Sequence, residues 1–244
     1  MHIASVGALC DRLEQMREAV RRGDHRRWRQ ASAPDLVTEC DAEHLSWPRR
    51  AARLTRRMCE AELPIIGHDE RIVFTRTVPA IPPVYIAEDK ARLMEGHAPH
   101  ELGPISNICA DWSTVLSQGL LGRRAVALAT RERLADDPEA LEFIDSAVET
   151  IDAVLDLANR YADAAAFEGR DDIAQILRRV PAAVPATFHE ALQSLRLLHS
   201  MLWLSGHYHV GLGRLDQVLW PFLRADLESG RETIESAEEL LAEF

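Results

Sequence analysis

The sequence predicts a mainly helical chain with a few short strands, and three observations predict it. Apolar residues recur at spacings of three and four through most of the 244 residues, the period of one buried helix face. Alternation by two is brief, so that 71–78 and 207–213 alone read as strands. Proline and glycine punctuate these runs, with no repeat and no low-complexity tract between them. A hydrophobic content of 47% over this length can bury a substantial core, as one large domain or two small ones.

Taken in order, Val6, Leu9, Leu13, Met16 and Val20 make one apolar stripe on a helix that Gly23-Asp24 stops. Residues 24–46 show no clear period and read as irregular, with room for a short helix. Trp47-Pro48 opens a second helix, since proline is tolerated in a first turn, and Leu63-Pro64 ends it. Arg71 to Val78 is β-branched and aromatic, the best strand of the first half, with Pro79, Pro82 and Pro83 closing it. A short helix around 88–95 follows in a polar crossing.

The next helix, 111–132, turns Trp112, Val115, Leu116, Leu120 and Leu121 inward. Gly119 and Gly122 imply a kink in it or another element packed close. The longest helix, 139–167, has Leu141, Ile144, Val148, Ile151, Leu155 and Ala158 on one side. Its other side carries Glu142, Asp145, Glu149, Asp152 and Asp156, which reads as a solvated acidic face. A short helix covers 171–179, and Thr187 with Glu190 forms a capping box for a helix over 188–204 that is apolar nearly all round. Tyr208, Val210 and Leu212 then alternate with His209, Gly211 and Gly213 as a strand, one face of which lacks side chains at the glycines. A helix from Asp216 to about Glu228 is capped by Gly230, with Pro221 expected to kink it, and 233–244 forms the last helix.

A net charge of −11 and a pI near 5.4 argue against nucleic acid or an anionic membrane as the main partner. The one basic run, Arg17 to Arg29, reads as a solvated helix face and loop. Nothing approaches the ~18 apolar residues of a membrane span, and 1–20 lacks a secretory pattern. Cys10, Cys40, Cys59 and Cys109 are widely spaced, which suits free thiols in a reducing cytoplasm better than disulfides or zinc.

Gly213-Arg214-Leu215-Asp216-Gln217, Trp220-Pro221-Phe222 and Asp226-Leu227-Glu228-Ser229-Gly230 form one gapless block. It resembles a block of the glycyl radical enzymes, the pyruvate formate-lyase superfamily. Arg49-Arg50-Ala51 through Pro64, then Glu70, and Pro185 to Gln193 resemble two further family segments. The resemblance is continuous over 47–244 and weak over 1–46. It implies the N-terminal part of an α/β barrel of ten strands wrapped by helices, incomplete in this chain. It also implies radical cleavage of a C–C, C–O or C–N bond of a small metabolite, as a lyase or a formate C-acetyltransferase-like acyltransferase. The cofactor implied is a protein glycyl radical, installed by a radical S-adenosylmethionine activating enzyme and not bound by this chain. Partners implied are that activating enzyme, a C-terminal portion bearing the radical, the substrate and, in the complete enzyme, a second copy.

No stretch of this sequence resembles the family's thiyl cysteine loop or its glycyl radical motif, so the chain is expected to be inactive alone and to hold no catalytic residue. The alternative is a non-catalytic helical interaction protein derived from the same family, with the helix over 188–204 as an exposed apolar patch.

The resemblance places Asn107 where family members carry a pocket residue, four places before Asp111. An amide neither pairs with a carboxylate nor acts as a general base, which weighs against pyruvate and against simple diol dehydration. Asn107 as a cap of the following helix is the competing reading. Cys109 reads as a packed thiol. His207 and His209 would share one face of a strand, half of a metal site without a nameable third ligand. Arg214 and Asp216 are expected to hold the strand-to-helix turn, and His68, His97 and His100 to be solvated.

Overall fold

The structure is a computed structural model that describes residues 11–96 and 108–244. Val6, Leu9, Cys10, His97, His100 and Asn107 therefore lie outside the described residues. Within them, ten α-helices, one 3-10 helix (Asp24–Trp28) and two short strands are present. Helices α1 (Asp11–Arg22), α2 (Leu36–Ala42), α3 (Trp47–Ala61) and α4 (Ala87–Glu95) precede strand β1 (Ile108–Cys109). Helices α5 (Trp112–Arg133), α6 (Pro138–Phe167), α7 (Asp171–Arg179) and α8 (Phe188–Leu204) lead to strand β2 (Val210–Gly211). Helices α9 (Leu215–Ser229) and α10 (Ile234–Glu243) follow it.

Two apolar clusters organise these elements. The first gathers Met58 and Cys59 of α3, Ala153 to Ala165 of α6, Ile173 and Leu177 of α7, and Leu197, Met201 and Leu204 of α8. The second joins Trp112 and Leu116 of α5, Leu192 and Leu195 of α8, Val210, Leu219 of α9 and Leu240 of α10. Helix α8 stands between them, which is why it carries apolar residues nearly all round. Its surface is covered by this chain's own helices, so the expected exposed patch does not exist. Trp203, 38% exposed, is its large apolar residue in contact with water.

The stretch 71–78 is not a strand. Helices surround it, and side chains take the place of a neighbouring strand. The Gln193 amide both accepts from the Val73 N–H (2.8 Å) and donates to the Val73 carbonyl (2.9 Å). Glu62, fully buried, accepts from the Thr77 and Val78 N–H groups (2.6 and 3.1 Å) and from the Thr77 hydroxyl. Glu243 accepts from the Arg71 and Ile72 N–H groups (2.5 and 2.9 Å). The carbonyls of Arg71, Phe74 and Thr75 are met by His189, Arg196 and Tyr161. A buried backbone must find partners somewhere, and this strap finds them just past α3 and on α6, α8 and α10.

The acidic face of α6 is likewise not simply solvated. Asp145 pairs with Arg131 and Asp152 with Arg124, both at 2.7 Å, joining α6 to α5. Glu149 and Asp156 meet Arg53 and Arg56 of α3. Arg53 also reaches Glu39 and Glu43, and Arg57 reaches Glu39, so α2, α3 and α6 share one charged seam. From α6, Arg160 donates to the Cys59, Glu60 and Glu62 carbonyls, satisfying the last turn of α3.

Smaller departures have local causes. Val20 and Leu121, expected inside, are 61% and 53% exposed. Thr187 caps α8 through the Glu190 N–H (3.1 Å), but the Glu190 carboxylate turns to the Ala186 N–H and Arg179 instead of closing the box. Helix α9 runs through Pro221 without interruption.

At Gly119 both expected explanations hold together. Its φ of 67° breaks the helical path of α5, and the Leu120 and Leu121 N–H groups donate to the Pro181 and Ala182 carbonyls (2.9 and 3.0 Å). A Cβ there would stand 2.5 Å from the Ala182 oxygen, so the close approach requires glycine.

Candidate site at the parallel strand pair

Strands β1 and β2 pair in parallel, Ile108 opposite Val210 and Cys109 opposite Gly211. About a hundred residues separate them, and a parallel partner demands such a crossover. Here it consists of α5 to α8, which lie between the two strands in sequence.

Side chains behind the pair hold it in place. The Trp112 indole N–H donates to the Gly211 carbonyl (3.0 Å), and His199 Nε2 donates to the Val210 carbonyl (3.0 Å). Trp112, His199 and Trp203 form an aromatic row, with ring centroids 6.1 and 5.1 Å apart. Two consecutive carbonyls of β2 are thus gripped from α5 and α8.

Of the residues singled out from sequence, Cys109 comes to this pair but is exposed, not packed; its Sγ lies 3.5 Å from the Ala110 carbonyl. Gly213, at φ 59°, gives the thiol its room, since a Cβ there would sit 2.8 Å from Sγ. Close approach at this glycine is therefore made by a side chain of the same chain. Val210 points into the second core while Tyr208 is 54% exposed, so the alternation is true only next to the paired residues. His207 is half-buried and His209 exposed. Among the described residues, no three His, Cys, Asp or Glu side chains converge as a metal site would require.

Arg214 and Asp216 form the anticipated ion pair at 2.7 Å, in front of α9. Asp111 caps α5, accepting from the Thr114 N–H (3.0 Å). That hydrogen bond also holds the Asp111 carboxyl below the usual range, the Thr114 hydroxyl contributing most. The capping role weighed for Asn107 is thus filled by Asp111, while Asn107 itself lies outside the described residues. His68 is solvated beside Asp69.

A second group of ionisable side chains was not legible as a group, although Glu70 and His189 stand in the family-like segments, because it is assembled from distant parts of the chain. Glu70, His189, Arg196 and Glu243 surround the strap. Burial pushes the Glu70 carboxyl up and the His189 imidazole and Arg196 guanidinium down. His189 Nε2 donates to the Arg71 carbonyl at 2.7 Å. The capping Thr187 was the one local hint that 188–204 mattered here; no spacing in the sequence links residue 193 to residue 73.

No helix among the described residues is long and apolar enough to cross a membrane.

Similar proteins place these features in a family. Isethionate sulfite-lyase of Oleidesulfovibrio alaskensis is 34% identical over 152 residues, which is 54% of this chain and 18% of that protein. The chain thus aligns with less than a fifth of the length of that relative. In fold, it resembles a glycyl radical enzyme from Archaeoglobus fulgidus, with a TM-score of 0.73, 21% identity, and coverage of 96% of this chain and 39% of that one. The glycerol-bound, B12-independent glycerol dehydratase of Clostridium butyricum gives a TM-score of 0.71 at 17% identity, covering 98% and 39%. A model of the pyruvate formate lyase-like family matches residues 87–244, more than half of the chain and all of the strand pair and its following turn; the chain belongs to that family.

Proposed function

We propose that this chain is the N-terminal segment of a glycyl radical lyase that removes a leaving group from a small polar metabolite. The observation that carries the reading is the parallel pair of β1 and β2, joined by α5 to α8 and followed at once by the Gly213–Gln217 turn. It supplies a start for a parallel barrel together with part of its helical wrapping. In this reading the thiyl cysteine and the radical glycine come from a polypeptide portion outside this sequence, and the chain alone turns over no substrate.

The relatives favour elimination over acyl transfer, being named a sulfite-lyase and a dehydratase. Asn107 would then contribute to the substrate pocket. A neutral amide can both donate to and accept from a hydroxyl or a sulfonate oxygen, and it has no charge with which to hold pyruvate. The described residues that serve this role are positional. Trp112 and His199 hold the β2 carbonyls, and Gly213 admits the Cys109 side chain. The radical, when installed by an activating enzyme, supplies the hydrogen-atom chemistry.

The test is anaerobic incubation of the purified chain with a radical S-adenosylmethionine activating enzyme. Electron paramagnetic resonance and assays of sulfite release from isethionate and water loss from glycerol are the readouts. No glycyl radical signal and no product are expected; either one would overturn the assignment of the chemistry to another portion.

One observation favours a second reading, a free-standing interaction protein, though one that does not use 188–204 as its contact surface. The helix α8 is covered by this chain's own helices, so the segment closes a core without help. Light scattering with dye binding should accordingly find a monodisperse, dye-silent species. Aggregate with strong dye binding would remove that second reading and leave the first.

A further inference from the structure

We infer that Glu243 is a clasp through which α1, α10 and the first residues of the strap open and close as one unit. Its neighbours Glu235, Glu238 and Glu239 on α10 are exposed, whereas the Glu243 side chain is 1% exposed. One carboxylate oxygen accepts from the Arg71 and Ile72 N–H groups. The other meets Arg12 Nη1 of α1 at 2.7 Å, and the same nitrogen donates to the Asp69 carbonyl at 2.7 Å. Three segments far apart in sequence thus converge on one carboxylate.

Apolar contact holds the two helices of this junction unequally, since α10 enters the second core together with Ile72 of the strap whereas α1 joins neither core. Leu13 is the buried residue of α1, and Ala237 and Leu240 are those of α10. Elements with few buried apolar contacts occupy the low end of local stability. Arg12 also leaves Nη2 buried with no partner, a desolvated donor that regains water when the junction opens. Arg12 from α1, Arg71 from the strap, Arg170 before α7 and His189 from α8 face Glu243 as its basic neighbours, while Glu70 before the strap opposes it as a like charge. Arg71 further reaches Glu239 at 3.9 Å.

Hydrogen exchange of the full chain, resolved by peptide, tests the clasp with Glu243→Gln and Arg12→Ala. Loss of the charged bond should speed exchange roughly tenfold or more, together, in 11–22, 69–72 and 234–243. Exchange in α3, α6 and α7 should stay as in the parent. Arg12→Ala is the sharper variant, because it touches neither α10 backbone nor core and keeps the test valid if Glu243→Gln unfolds the chain. Unchanged exchange in 234–243 on loss of Arg12, acceleration confined to 11–22, or acceleration everywhere would each overturn the inference.

Discussion

The bundle of α3, α5 and α6 and the strap 71–78 are held by different means. In the bundle, backbone groups are satisfied mostly within each helix, the break at Gly119 and the end of α3 apart, and neighbours meet through apolar stripes edged by arginine–carboxylate pairs such as Arg131–Asp145 and Arg124–Asp152. In the strap, the backbone itself is the contact surface, and Glu62, Gln193 and Glu243 each bind its amides directly. A side chain in the bundle can be lost with its own contact alone. A side chain at the strap takes several buried donors with it.

The largest effect that separates the two regions is expected from Glu62→Ala. It strands two buried N–H groups and the Thr77 hydroxyl, and should cost about 4 kcal/mol in denaturant unfolding; a loss under about 1 kcal/mol would show that water replaces the carboxylate freely. Gly119→Ala comes next, at about 3 kcal/mol, from a left-handed φ combined with a backbone oxygen 2.5 Å from the new Cβ. Unaltered stability there would mean that 181–183 shifts without cost. Gln193→Leu keeps the volume but leaves the Val73 N–H and carbonyl unpaired, for about 2 kcal/mol. A matching loss of protection at the Val73 amide in hydrogen exchange is the second readout.

The strap also carries a pH signature. Burial, aided by Arg71, holds His189 below its ordinary 6.5, so the unfolded chain binds this proton more readily than the folded one. Stability should therefore be fully present above about pH 6.5 and fall as pH drops from there toward the folded value. His189→Gln should flatten that slope; an unchanged slope would assign it to other groups. The smallest effect belongs to the bundle. Arg131→Ala, at a pair 45% and 41% exposed, should change stability by less than about 0.5 kcal/mol. A larger loss would mean that the α5–α6 seam acts as a network.

The same contrast explains what was legible in the sequence. Helix periods found the helices that line both cores, and Gly119 declared its break, because each signal is contained in a few adjacent residues. The β-branched run 71–78 announced a strand, and none forms there. Its partners, from residues 62 to 243, could not be inferred, because β propensity describes a fit to surroundings and not a particular neighbour. The acidic row of α6 misled for a related reason: charge at the outer positions says nothing of which arginines face it. Around the candidate site, the Gly213–Gln217 turn was visible as a block. The grip of Trp112 and His199 on β2 was not, since it joins residues 99 and 11 positions from their acceptors.

The strap's saturation by side chains has a consequence for how the folded protein resists aggregation. A β-branched, aromatic segment with open amides is the kind of stretch that seeds intermolecular cross-β assembly. In the native chain those amides are occupied by groups that cannot propagate a sheet, so the segment is quenched rather than merely hidden. Carboxylates at 62 and 243 and the amide at 193 therefore act as gatekeepers of the folded chain, and their loss would surface as aggregation whenever the strap opens.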